Sequence, residues 1–156
     1  MTESMVNSAA GFRRGASCLL LALLLVLICQ PGARAEMLVE SARIRLPLPG
    51  QSTAVVYFDL HNRSARDQNL VAVAVEGAQR AEIHQHLHVD GLMQMRAVPE
   101  LLVGAGESVV FQPHGYHVMV FAMTSLPASA TDDQYALTLT FADGSTLRTF
   151  AQAFRY

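Results

Sequence analysis

Histidine and methionine are concentrated in one stretch of the sequence, residues 84–123. This stretch holds five of the six histidines and four of the seven methionines: His84, His86, His88, His114, His117, Met93, Met95, Met119 and Met123. Imidazole nitrogen and thioether sulfur form a soft, mostly neutral ligand set that suits copper, above all Cu(I), whereas Ca²⁺ and Mg²⁺ require several oxygens. The clustering therefore predicts a copper site. The alternative is that the methionines fill the core and the histidines form a solvated face.

The N-terminal segment has the pattern of an export signal. Arg13 and Arg14 precede an apolar run over residues 16–29, and a small-residue A-x-A pattern ends at Ala35. A basic start, a short apolar run and such a cleavage site are typical of a signal peptide, and the run is too short for a membrane span. We predict that residues 1–35 are a cleaved signal peptide and that residues 36–156 form one mature domain.

Cysteine and charge content narrow the class of protein further. Both cysteines, Cys18 and Cys29, lie in the predicted signal peptide, so the mature domain has no disulfide and depends on its hydrophobic core. A lipid anchor on Cys29 would call for a small preceding residue, and Ile28 is bulky, so we expect none. The chain has no lysine and slightly more acidic than basic residues, which argues against nucleic-acid binding.

Short apolar or alternating segments, separated by turn residues, run through the mature chain. No run of ten or more residues shows helical periodicity outside the predicted signal peptide. The pattern predicts an all-β fold, an antiparallel sandwich or barrel. The predicted strands cover residues 37–46, 54–60, 69–76, 81–89, 92–98, 101–103, 107–112, 116–123, 135–141 and 146–154.

Asp90-Gly91, between two of these strands, is a strong signal for a two-residue hairpin loop. Such a loop places His86 opposite Met95 and His88 opposite Met93. One face of one hairpin then carries several candidate ligands.

Two further relationships follow from strand geometry. His84 becomes the diagonal neighbour of Met95, about 7 to 8 Å away and within reach of long side chains. His117 and Met119, two residues apart, point to the same face of a later strand. Local geometry leaves open which of the hairpin residues bind a metal.

The spacing of these residues resembles a known motif. His84, Met95, His117 and Met119 match H-x10-M-x21-H-x-M, the pattern of the periplasmic PCu(A)C copper chaperones. The resemblance covers nearly the whole mature chain and extends to the surrounding residues, which include Glu82-Ile83-His84, Asp90-Gly91, Met93-Gln94-Met95-Arg96, Gly104-Ala105-Gly106 and Gly115-Tyr116-His117.

The resemblance implies an antiparallel Greek-key, cupredoxin-like β-sandwich in the periplasm. It implies one Cu(I) held by His84, Met95, His117 and Met119. It further implies that this copper is delivered to the binuclear CuA centre of cytochrome c oxidase subunit II, often alongside Sco-type thiol proteins. Other roles consistent with the residues are periplasmic copper storage, resistance or uptake.

This sequence also departs from the family pattern. His86 and His88 stand where relatives often have methionine or a small polar residue, so they are auxiliary candidates for a second site or one that accepts Cu(II). Met93 is a further auxiliary candidate, although a methionine in such a position more often packs in the hydrophobic core or covers it than binds a metal. His61 and His114 are expected to be surface residues.

Three other classes of protein are alternatives to a copper chaperone. A zinc hydrolase would combine histidines with a carboxylate or cysteine and an open water position, but this cluster is rich in thioethers, and we predict no enzymatic activity. A blue-copper electron carrier needs a cysteine thiolate, which the mature domain lacks. A metal-free β-sandwich interaction domain is the third alternative, and Cu(I) titration distinguishes it.

Overall fold

The computed structural model describes residues 37–123 and 133–154. The predicted signal peptide and its two cysteines lie outside the described residues. Within the described part, every regular element is a β-strand. This part therefore contains no helix that is long and apolar enough to cross a membrane. The strands are β1 (Met37–Arg45), β2 (Ala54–Asn62), β3 (Gln68–Val75), β4 (Arg80–Val89), β5 (Leu92–Ala97), β6 (Leu101–Val103), β7 (Ser108–Phe111), β8 (Tyr116–Phe121), β9 (Gln134–Phe141) and β10 (Thr146–Phe154).

All ten strands belong to one sheet, in the order β5-β4-β8-β7-β2-β1-β10-β9-β3-β6. The all-β prediction is confirmed. The sheet is mixed, however, where an antiparallel arrangement was predicted, because β1 runs parallel to β10 and β7 parallel to β8. The parallel pairing of β7 with β8, which residues 112–115 connect, is limited to Phe111 and Tyr116. Parallel strands that pair over several residues usually need a long connection, and β1 and β10 are joined through the whole domain. No local turn sequence could have signalled the pairing of β1 with β10.

The sheet curls so that strands far apart in its order enclose one core. Val56 and Phe58 of β2 belong to the same buried cluster as Leu137 and Leu139 of β9, although β1 and β10 lie between these strands. The Phe58 ring stacks on that of Phe111 at 4.1 Å between centroids. Burial of each such side chain contributes about 1.5 to 3 kcal/mol. The core therefore fixes the curvature of the sheet and leaves its outer face free to carry polar residues.

The hairpin of β4 and β5 forms as the sequence predicts. Asp90 and Gly91 both have positive φ angles, 52° and 79°, as a primed two-residue turn requires. Six residue pairs align across the hairpin, and they include His86 opposite Met95 and His88 opposite Met93. Strand β5 is one edge of the sheet, whereas β4 is paired on its other side with β8.

Candidate metal site

The candidate ligands lie on the outer face of β4, β5 and β8. Ile83 of β4 and Val118 of β8 point into the core, so their neighbours His84 and His117 point outward. A cavity of about 460 Å³ opens on this face. Its lining consists of Arg45, Gln51, Thr53, Val55, Tyr57, His86, Met95, Pro113, His114, His117 and Met119.

Three of the four residues in the predicted ligand motif, Met95, His117 and Met119, line this cavity. His84 does not line it, but it is directly paired with His117 across β4 and β8, with ring centroids 6.0 Å apart. The motif residues are thus drawn from three neighbouring strands to one place.

His86 is not one of the four motif residues, but it lies at the cavity. It lines the cavity directly, and its ring stacks on that of His117 with 4.8 Å between centroids. The auxiliary candidates His88 and Met93 pair with each other nearer the hairpin turn, and both are exposed and outside the cavity lining. Of the three auxiliary candidates, the structure therefore brings only His86 to the cavity.

His114 is exposed, as expected, but it also lines the cavity. It sits in the turn before β8 with a φ of 65°, and its ring centroid lies 6.0 Å from that of His86. Sequence reasoning missed this proximity. The available signal was the Pro113-His114-Gly115 turn, which leads directly into the strand that carries His117.

His117 is held by its neighbours in the chain. Its side chain is only 4% exposed, and its Nδ1 donates a hydrogen bond to the carbonyl oxygen of Gly115 at 3.1 Å. The same carbonyl accepts a hydrogen bond from the backbone N–H of His86 at 3.3 Å. Burial lowers the pKa of His117 below its ordinary value of 6.5, and the nearby His86, His84 and Arg45 lower it further. The neutral imidazole, which is the form that binds metal, is therefore favoured.

His84 is held by a carboxylate on its own strand. Its Nε2 lies 3.0 Å from Oε2 of Glu82. This hydrogen bond lowers the pKa of Glu82, and Arg80 lowers it further, so Glu82 is ionised at neutral pH. The Nδ1 atoms of His84 and His86 are both buried without a hydrogen-bond partner. Such orphaned nitrogens fit a site that a metal completes.

The donor set favours a soft ion. No carboxylate is among the described residues that line the cavity, and Arg45 is the charged residue there. Within residues 37–123 and 133–154, no group of three or more His, Cys, Asp or Glu side chains is placed to hold a metal. Met95 and Met119 supply thioether sulfurs to the lining of the cavity, and soft cations accept such donors whereas hard cations avoid them.

Comparison with known proteins agrees with this architecture. Residues 37–152 match the family described as "Putative lipoprotein LpqE-like", whereas no curated protein matches the chain. The fold resembles three solved structures. The copper-bound PCuAC domain from PmoF2 is 18% identical with a TM-score of 0.61, and the match covers 77% of this chain and 93% of that one. The apo PCuAC domain from PmoF1 is 24% identical with a TM-score of 0.61, over 77% and 94%.

The third structure is the solution structure of CuI-DR1885 from Deinococcus radiodurans. It is 26% identical to this chain, with a TM-score of 0.59 over 79% of this chain and 82% of that one. Two of these three structures are thus PCuAC domains, one of them copper-bound, and the third is a Cu(I) form of its protein. The family match spans all ten strands, ending within β10. This chain belongs to the LpqE-like family.

Proposed function

We propose that this protein is a periplasmic copper chaperone that binds one Cu(I) through His84, Met95, His117 and Met119. The observation that carries this proposal is the convergence of Met95, His117 and Met119 on one cavity, with His84 paired directly to His117. Two neutral thioethers and two neutral imidazoles leave a singly charged complex and satisfy a soft ion without carboxylates. The proposal assigns the protein no enzymatic activity.

Its structural relatives support copper as the cargo. The solved structures with similar folds include a copper-bound PCuAC domain and a Cu(I)-loaded protein. The sequence of this chain retains the two methionines and two histidines at the family spacing. Copper, rather than zinc or calcium, is therefore the ion to test first.

Delivery, rather than permanent storage, is favoured by the position of Met95. This residue is 49% exposed and lies on β5, the edge strand of the sheet. A thioether ligand at an exposed edge can be displaced by a ligand of an acceptor protein without disturbing the core. The CuA centre of cytochrome c oxidase subunit II is the proposed acceptor, with a Sco-type thiol protein as a partner in its assembly.

The first experiment is an anaerobic competition between the mature domain and a strong Cu(I) chelator. The proposal predicts that the domain withdraws one equivalent of Cu(I) from the chelator. No withdrawal at any protein concentration would favour a metal-free interaction domain and refute the proposal.

The second experiment separates delivery from storage, resistance or uptake. Cu(I)-loaded protein is mixed with the reduced, metal-free CuA domain of an oxidase subunit II, and copper in each is measured after separation. Transfer at a rate above that of copper dissociation into a chelator supports delivery. Retention of the copper by this protein would support storage instead.

Export is tested by the mass of the mature protein. Cleavage after Ala35 predicts a periplasmic protein that begins at Glu36 and carries no lipid. The matching family is described as a putative lipoprotein, so the alternative is a protein anchored by a lipid on its N-terminal cysteine. A mature protein that begins at Cys29 and carries added acyl mass would show that the N-terminal prediction is wrong.

A further inference from the structure

Glu82 and His84 form a fixed pair on the outer face of β4. They are two residues apart on one strand and so share a face, and Oε2 of Glu82 lies 3.0 Å from Nε2 of His84. A carboxylate can only accept a hydrogen bond, so Nε2 of His84 must carry the hydrogen. The other ring nitrogen of the neutral imidazole, Nδ1, is then the one with the free lone pair.

The surroundings of Nδ1 fit this assignment. Nδ1 of His84 is buried and has no hydrogen-bond partner. A buried polar atom without a partner loses its hydration and gains no interaction in exchange, which is unfavourable. A metal ion bound at Nδ1 would supply the missing interaction.

Glu82 is itself held in place from its other side. Its Oε1 lies 3.4 Å from Nε of Arg80, and the guanidinium of Arg80 sits 4.4 Å from the centroid of the Phe121 ring. The Phe121 ring in turn lies 6.4 Å from the ring of His84. Arg80, Glu82 and His84 therefore form a row along β4 whose first and last members both pack near Phe121.

In His117 the other ring nitrogen, Nδ1, carries the hydrogen. This Nδ1 donates to the carbonyl oxygen of Gly115, so the lone pair of His117 is on Nε2. The two imidazoles that face each other across β4 and β8 are thus set in different tautomers by different partners. Metal-binding histidines typically donate their second ring N–H to a carboxylate or carbonyl in this way.

We propose that Glu82 is a positioning residue for copper, which holds His84 as its Nε2–H tautomer so that His84 binds the metal through Nδ1 while His117 binds it through Nε2. Glu82 itself does not touch the ion. The copper part of this inference rests on the proposed function, whereas the tautomer part concerns the metal-free protein alone.

Long-range ¹H–¹⁵N NMR of the imidazole rings tests the tautomers without copper. We expect the metal-free protein to show His84 protonated at Nε2 and His117 protonated at Nδ1. A His84 ring protonated at Nδ1 would overturn the proposal, whether or not the protein binds copper.

The same experiment on the Cu(I)-loaded protein tests the ligand atoms. We expect the ¹⁵N resonance of His84 Nδ1 to shift on loading, together with that of His117 Nε2. A shift at His84 Nε2 instead would overturn the inference and leave the proposed function standing. If the protein bound no Cu(I) at all, the proposed function would fail while the tautomer result stood on its own.

Substitution of Glu82 tests its positioning role. Glu82→Leu removes the acceptor, and we expect a mixture of His84 tautomers with about a ten- to hundredfold loss of Cu(I) affinity. Glu82→Gln retains an acceptor oxygen and should restore part of that loss. Glu100→Gln, which removes an exposed acidic charge that is not part of the cavity lining, should leave the His84 tautomer and the Cu(I) affinity unchanged. An unchanged tautomer and affinity in folded Glu82→Leu would refute the role.

Discussion

His84 and His117 occupy directly opposed positions on β4 and β8, and their ring centroids lie 6.0 Å apart. Both strands are paired on each side, so the sheet itself sets this separation. Met95, by contrast, comes from the edge strand β5 and is half-exposed. The candidate site therefore combines an imidazole pair on interior strands with a thioether that an incoming protein can reach.

Met95 and Met93 provide a matched test of ligand identity. Both lie on β5, two residues apart, and both are 49% exposed, but only Met95 lines the cavity. We expect Met95→Leu to weaken Cu(I) binding by at least about tenfold, or about 1.4 kcal/mol. Its fold should survive, because Leu preserves volume and apolarity at a cost under about 1.5 kcal/mol.

Met93→Leu is the control for that experiment. Its Cu(I) affinity, measured by the same chelator competition, should equal that of the unmodified protein. Equal affinities for all three proteins would show that the thioether of Met95 is not a ligand.

The histidines outside the motif are tested as a pair. We expect the double variant His86→Gln, His88→Gln to keep one equivalent of Cu(I) and to lose affinity for Cu(II), since imidazoles serve the harder ion better than thioethers do. The two oxidation states are titrated separately, Cu(I) anaerobically and Cu(II) in air.

The positions of His86 and His88 determine how a loss of Cu(I) binding in this double variant would be interpreted. His86 lines the cavity and stacks on His117, whereas His88 does neither. If the double variant lost all Cu(I) binding, His86 would be a required ligand, and the assignment to His84 would need revision.

The lowered pKa of His117 predicts a pH dependence of folding. In the unfolded chain His117 takes up a proton near pH 6.5, whereas in the folded metal-free protein it does so only at lower pH. Between these two values the unfolded state binds more protons, so the free energy of unfolding falls as the pH falls. We expect urea unfolding at pH 7 and pH 5.5 to show this loss.

His117→Gln removes the titrating group and serves as the comparison. The stability lost between the two pH values should be smaller in this variant than in the unmodified protein. Identical losses in both would contradict the role given to burial of His117.

The proposed sulfur ligands, Met95 and Met119, predict which metal ion the protein prefers. Two neutral thioethers are poor partners for a divalent ion of intermediate hardness, so we expect Cu(I) to be retained over Zn²⁺ under matched competition. Metal content after dialysis against equal concentrations of both ions checks this. Equal retention of zinc would count against the thioether assignment.

Local sequence signals were sufficient to predict most of the strands and part of the candidate site. The Asp90-Gly91 turn sets the register of the hairpin, and the observed pairs of His86 with Met95 and His88 with Met93 agree with it. The parallel pairing of β1 with β10 could not be predicted, because it depends on burial across the whole domain. His114 was missed for the same kind of reason, since its approach to His86 depends on how the turn before β8 lies across the hairpin.

X-ray absorption at the copper edge of the anaerobically Cu(I)-loaded mature protein tests the central claim most directly. We expect two sulfur and two nitrogen neighbours around one copper, with one sulfur lost in Met95→Leu and one in Met119→Leu. A copper surrounded by nitrogen and oxygen alone, unchanged in both variants, would contradict the proposed site.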